Sequence, residues 1–201
     1  MSEISENSLL DKVKNAFTES IQTQISATES LSATIVQAAE MLVDSLLKGH
    51  KIIVCGHGRS NANAQFLVTN LLHRYHLDRP SLPALLIGLD GTLGSSIIAD
   101  NNSSQIFIRQ FECVAQQGDI LIILSPLGRE EAILNLIHSA NSRELPIITL
   151  TGRQNDHIRG ALGEEDLDIS IPAQKETRII ENHLLVINIL CDLIEYRLFS
   201  H

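Results

Sequence analysis

Two short stretches carry most of the chemistry that this chain could perform. "CGHGRS" at residues 55–60 follows an apolar run and sets small residues around His57 and Arg59. "LSPLGREE" at 124–131 does the same around Ser125, then places Arg129 beside Glu130 and Glu131. Strand-to-helix corners of this kind bind phosphate, because a helix N-terminus offers free N–H groups and a partial positive charge. Gly56 and Gly58 permit close backbone approach, Ser60 and Ser125 supply hydroxyls, and Arg59 adds positive charge. These residues form the expected anion pocket. The glycines and Ser60 are equally what a tight turn and a helix cap require. The second corner is unusual, since Pro126 removes a backbone donor and Glu130 and Glu131 bring negative charge. Glu130 is expected to cap the following helix as an anion built into the protein, and so to repel phosphate. His57, Glu130 and Glu131 could also be drawn together as an acid–base set, although nothing in their spacing demands it.

Cys55, Cys113 and Cys191 show no CxxC spacing and sit among apolar residues, so they read as buried thiols in a reducing cytoplasm. Neither a metal nor a cofactor is expected. A net charge of −9 argues against DNA binding through the overall field. The absence of Trp and an aromatic content of 3% argue against base stacking. "MSEISENSLLDKVKN" at the N-terminus is too polar for a signal peptide, and no apolar run approaches the roughly 20 residues of a membrane span. The expectation is a cytoplasmic protein with no membrane and no direct nucleic-acid contact.

The elements that must position these corners are legible as patterns. Apolar runs at 51–55, 84–88, 119–125, 146–152 and 166–172 alternate with helical patterns near 60–76, 103–117, 129–143 and 155–162. That order predicts an α/β fold, a five-stranded parallel sheet covered on both faces in a three-layer α/β/α sandwich, with ligands at the carboxyl ends of the strands. Residues 9–48 read as a pair of helices, one striped by Phe17, Ile21 and Ile25, the other by Ile35, Ala39, Leu42, Val43 and Leu46, with Gly49 as C-cap. Standing before the first strand, they cannot be a crossover and must pack outside the domain or on another subunit. Residues 174–199 read as a long helix, apolar nearly all round through Ile194, which argues for burial at a subunit interface. The chain thus divides into an N-terminal helical oligomerisation segment, 1–50, and an α/β domain, 51–201, that includes the C-terminal interface helix.

"CGHGRSNANAQ" (55–65), "ILSPLG" (123–128), "ITLTG" (148–152) and "TRIIENH" (177–183) resemble the sugar isomerase (SIS) domain family over nearly the whole chain. The resemblance implies a flavodoxin-like SIS domain with N-terminal helices. Two branches are similar, the phosphoheptose isomerases and the DnaA initiator-associating proteins. "FTESIQTQI" (17–25), "RPSLPAL" (79–85) and "LCDLI" (190–194) look like the second. The isomerases use a His and a Glu on the first helix after the Gly-rich loop, and a Gln and a His on the last helix, for zinc and proton transfer. Those positions fall here on Phe66, Asn70, Ile180 and Asn188, which supply neither zinc ligands nor a base near neutral pH. Where the family has a pattern like "STSGNS", this chain has "SPLGRE". The resemblance therefore implies a protein without catalytic residues or metal, a cytoplasmic homotetramer that binds the replication initiator DnaA and promotes its assembly at the chromosomal origin. The alternative is a sugar-phosphate isomerase or sugar-phosphate-binding regulator of the phosphoheptose isomerase type. His183 resembles a histidine shared by both branches, which implies a structural hydrogen bond. At the C-terminus, Leu198 and Phe199 beside Arg197 have the composition of an exposed partner-binding patch, unless they fold back onto their own subunit.

Overall fold

The computed structural model describes residues 6–88 and 91–200; His201, the last residue of the expected patch, lies outside them. Its strands are β1 (Ile52–Gly56), β2 (Ala84–Leu86), β3 (Ile120–Leu124), β4 (Ile147–Gly152) and β5 (Leu167–Ile171). They form one parallel sheet in the order β2-β1-β3-β4-β5. The register sets Ile53 beside both Leu85 and Leu121. The helices are α1 (Glu6–Leu47), α2 (Ser60–Leu72), α3 (Gly91–Ala99), α4 (Ile108–Val114), α5 (Glu131–Asn141), α6 (Asp156–Arg159) and α7 (Glu176–Phe199), with a 3-10 turn at Ser103–Gln105. Because strand side chains alternate between faces, the continuous apolar runs feed two cores. Ile52, Val54, Ile120, Ile122 and Leu124 pack with α1, α2 and α7 on one face. Ile53, Cys55, Leu121 and Ile123 pack with Phe111 of α4, Ile133 and Leu136 of α5 and Ile158 of α6 on the other. The α/β/α sandwich follows from that alternation.

The expected N-terminal helix pair is a single helix of 42 residues, about 63 Å long at 1.5 Å per residue. No Gly or Pro interrupts Glu6–Leu47, so the two stripes are one helix facing different surroundings. From Leu31 onward one apolar face enters the core, with Val36 and Leu47 left outside it, whereas Leu9, Leu10, Val13, Phe17, Ile21 and Ile25 remain half or more exposed. Gly49, at φ +82°, turns the chain out of the helix towards β1. The expected boundary near residue 50 falls at this turn, and the second half of α1 shares its core with the sheet. By length and composition alone, α1 has a window of mean hydropathy 1.2 that could cross a membrane. Its second half instead buries Ala38, Ala39, Leu42 and Val43 inside the protein.

Two further expectations change. The C-terminal helix buries one face within the protomer, at Ile179, His183, Val186, Ile187, Leu190 and Ile194, while Leu184, Leu185 and Ile189 stay more than a third exposed. It is a central helix with a second, unpaired apolar strip. α3 was not expected as a helix, because Gly91, Gly94 and the adjacent serines read as loop signals.

Candidate functional site

The strand order reverses between β1 and β3, so the loops that leave their carboxyl ends part there and open a crevice. Gly56 ends β1 where α2 begins so close that a Cβ would lie 2.4 Å from the Ser60 carbonyl oxygen. Gly128, at φ +63° in the loop after β3, meets the backbone of Asn155, so a side chain there would be both strained and crowded. Between the two loops lies a cavity of about 390 Å³, lined by Gly56, His57, Gly58, Asn61, Ser103, Ser104, Phe107, Glu130 and Glu131 among others.

Glu130 fills the corner after β3, though not as expected. It stands at the N-cap of α5 with an extended backbone (φ −74°, ψ 125°), yet its side chain makes no cap bond to the helix. The carboxylate turns back instead. Ser125 Oγ donates to Glu130 Oε2 at 2.5 Å, and the Arg129 N–H donates to the same oxygen at 3.2 Å. The Gly128 N–H donates to Ser125 Oγ at 3.2 Å. Donors that could hold an anion at this corner are thus engaged by the protein's own carboxylate. A phosphate brought within ~4 Å of it would meet a repulsion of about 4 kcal/mol per unit of charge at an effective dielectric near 20.

The remaining pocket residues are dispersed. Gly56 and Gly58 line the cavity. Ser60 is fully buried, and its hydroxyl has no hydrogen-bond partner. Arg59 is exposed, and its guanidinium lies 3.9 Å from Glu176 at the start of α7. The structure does bring the acid–base set together. His57 Nδ1 lies 3.8 Å from Glu130 Oε1, and Glu131 lines the same cavity. Ser103, Ser104 and Phe107 come from the connection between β2 and β3. No local signal marked them, because only the crossover brings that segment to the crevice.

The positions that the resemblance aligned with the isomerases' zinc ligands make other contacts or face solvent here. Phe66 is 40% exposed on α2. Asn70 is buried and donates to Cys191 Sγ at 3.8 Å. Ile180 is half-buried on α7, its carbonyl accepting from Asn63 Nδ2 at 2.9 Å, and Asn188 is half-buried further along the same helix. Among the described residues, no group of three or more His, Cys, Asp and Glu side chains is placed to hold a metal ion. His183 is fully buried, with Nε2 3.1 Å from the Thr151 carbonyl. Burial pushes its imidazole down to about 4, against the opposing effect of that hydrogen bond. The neutral ring therefore donates through Nε2, and Nδ1 is left without a partner. Cys55 and Cys191 are buried, and burial first of all raises both thiols, Cys191 to about 12. Cys113, expected to be buried, is exposed on α4.

At the C-terminus the structure shows the folded-back packing that the sequence left open. Leu198 and Phe199 are half-buried against the larger core, and the Arg79 guanidinium lies 5.9 Å from the centre of the Phe199 ring. One turn earlier on the same helix, Glu195 is a buried carboxylate that no local pattern in the sequence marked. It accepts hydrogen bonds from the N–H groups of Tyr75, His76 and Leu77, each at 2.9 Å, and from Arg79 Nε at 2.8 Å. Arg79 in turn donates to the carbonyls of Asn70, Leu71 and Pro80. Burial alone would raise the Glu195 carboxyl, but these donors outweigh it and hold it down to about 2.

Comparison with known proteins agrees with this architecture. The chain is 50% identical over 191 residues to an uncharacterized protein of Haemophilus influenzae, covering 95% of this chain and 98% of that one. It is 42% identical over 193 residues to the DnaA initiator-associating protein DiaA of Photorhabdus laumondii, covering 96% and 98%. A phosphoheptose isomerase structure from Francisella tularensis superposes with a TM-score of 0.88 at 33% identity, over 92% of this chain and 97% of that one. The family model described as the SIS domain matches residues 16–152, which run from the exposed half of α1 through β4 and include both corners. With that model spanning both corners and the whole fold superposing on a phosphoheptose isomerase, the chain belongs to the SIS-domain family.

Proposed function

We propose that this protein is a non-catalytic SIS-domain factor that binds the replication initiator DnaA in the cytoplasm and promotes its assembly at the chromosomal origin. The observation that carries the reading is near-full-length identity, 42% over 193 residues, to a protein named for association with DnaA. The geometry is consistent with a role other than catalysis, since Glu130 engages the Ser125 hydroxyl and Phe66 and Ile180 stand where the isomerases place zinc ligands. The protein acts as a homotetramer, with α1 pairing through the exposed stripe of Val13, Phe17, Ile21 and Ile25. Several linked copies of one binding surface would gather several DnaA molecules without new chemistry. Part of that surface is the last turn of α7, where Leu198 and Phe199 keep some exposure while packing on the core.

The test is capture of purified DnaA by the immobilised full-length protein. Binding is expected, and Leu198→Ala combined with Phe199→Ala is expected to reduce it at least tenfold. Circular dichroism of the double variant at the assay temperature checks that it is folded. Absence of capture by the folded wild type overturns the reading. A second reading, a sugar-phosphate isomerase or sugar-phosphate-binding regulator, is favoured by the 0.88 TM-score to a phosphoheptose isomerase. Turnover or saturable binding of sedoheptulose 7-phosphate would support it.

A further inference from the structure

The cavity at the crevice has the wrong charge for the anion that such corners hold. Its ionisable lining is His57, Glu130 and Glu131, with no Lys or Arg among the lining residues. Even with His57 protonated, two carboxylates leave that lining net negative. Arg59, the nearest basic residue in the loop, reaches Glu176 instead. Glu130 is fixed in place, because Ser125 and the Arg129 N–H both hold Oε2, while Oε1 lies on the side of His57. The rest of the lining offers the amide of Asn61 and the hydroxyls of Ser103 and Ser104, with Phe107 as an apolar wall. A volume of about 390 Å³ falls in the range of small-molecule sites.

We infer that this cavity binds a small hydroxylated amine without a phosphate group, of the amino-alcohol or amino-sugar type. Its ammonium sits between Glu130 and Glu131, its hydroxyls meet Asn61 and the serines, and its carbon skeleton lies against Phe107. The same carboxylates that repel a phosphate attract this cation, so the crevice has changed the sign of its ligand rather than lost the ability to hold one. The inference stands apart from the DnaA reading, since ligand binding and DnaA capture are measured separately and either can fail alone.

The experiment is isothermal titration calorimetry of the full-length protein with glucosamine, serinol, glucose and glucosamine 6-phosphate. At least one of the two unphosphorylated amines is expected to bind saturably. Glucose, which lacks the ammonium, and glucosamine 6-phosphate are each expected to bind at least tenfold more weakly than the better amine. Glu131→Gln, in an exposed first helical turn, is expected to weaken the amine at least tenfold with an unchanged thermal melt. Glu130→Gln should do the same, and Glu131→Gln keeps the test valid if that variant unfolds. No binding of either amine at millimolar concentration overturns the inference. So does equal binding of glucose, tighter binding of the phosphate, or an unchanged affinity in Glu131→Gln.

Discussion

At the level of single residues, side-chain type foretold more than spacing did. A phenylalanine or an isoleucine cannot ligate a metal whatever its surroundings, so the types of Phe66 and Ile180 alone carry the expectation of no zinc at those positions. Glu130 was readable as an internal anion, but its direction was not. The extended backbone at the N-cap turns the carboxylate back to Ser125 rather than forward onto the helix. Glu130→Ser should free the Ser125 hydroxyl and the Arg129 N–H. Sedoheptulose 7-phosphate affinity is expected to rise at least tenfold, read by thermal shift. The cost to the fold is about 1 kcal/mol or less, because serine also starts helices well. A wild type that binds the sugar phosphate just as tightly would show that Glu130 does not exclude it. His183 makes a second residue-level prediction. Its imidazole is held near 4 when folded and titrates near 6.5 when unfolded. As pH falls from 6.5 towards 4, the unfolded chain takes up a proton that the folded protein refuses. Stability should therefore decline across that window, by up to about 3 kcal/mol at 1.36 kcal/mol per unit. Urea titrations at several pH values should show His183→Gln to be less stable at pH 7 but flatter between pH 6.5 and 4.

The elements show which information periodicity carries. It located the strands to within a residue or two, because an apolar run of five in a parallel sheet has no other use. It also located both faces of α1, but a stripe does not say what it faces, so one helix with a solvent-facing half and a core-facing half looked like two. The helical pattern expected to run to about residue 76 ends at Leu72, and the segment 73–82 that follows is irregular. Its conformation is imposed by Glu195, whose carboxylate gathers the N–H groups of Tyr75, His76 and Leu77 from the far side of the sequence. Arg79 is buried against Glu195, its side chain 2% exposed. Removing the carboxylate charge leaves a buried guanidinium without its counter-ion, which typically costs about 3–5 kcal/mol. Glu195→Gln is expected to lose stability in that range in chemical denaturation, and to gain a tryptic cut after the exposed Arg74. Intact segments and unchanged stability would show that the backbone contacts suffice. Held near 2 against 4.5 when unfolded, Glu195 contributes fully above about pH 4.5 and progressively less as pH falls towards 2, a window below that of His183.

For the whole molecule, the α/β/α sandwich was legible from the alternation of runs, whereas the strand order came from resemblance alone, since which strands become neighbours is a property of crossovers and not of any local stretch. Apolar surface remains on the α7 strip of Leu184, Leu185 and Ile189 and on the first half of α1, where Phe17 is 68% and Ile21 53% exposed. A solitary protomer would leave that stripe in water, so sedimentation at micromolar concentration is expected to find an oligomer. Phe17→Glu with Ile21→Glu should release protomers with unchanged far-ultraviolet circular dichroism. A wild-type monomer would contradict the assembly. The position of Glu195 also has a consequence for how the protein is made. Its partners at 75–79 precede it by 116–120 residues. A ribosome adding roughly 5–20 residues per second exposes the segment seconds before its anchor exists. Until Glu195 has been made the segment must wait unanchored, and a product truncated before that residue would be left open to proteases there. The carboxylate thus works as a late latch, closing a segment made long before it.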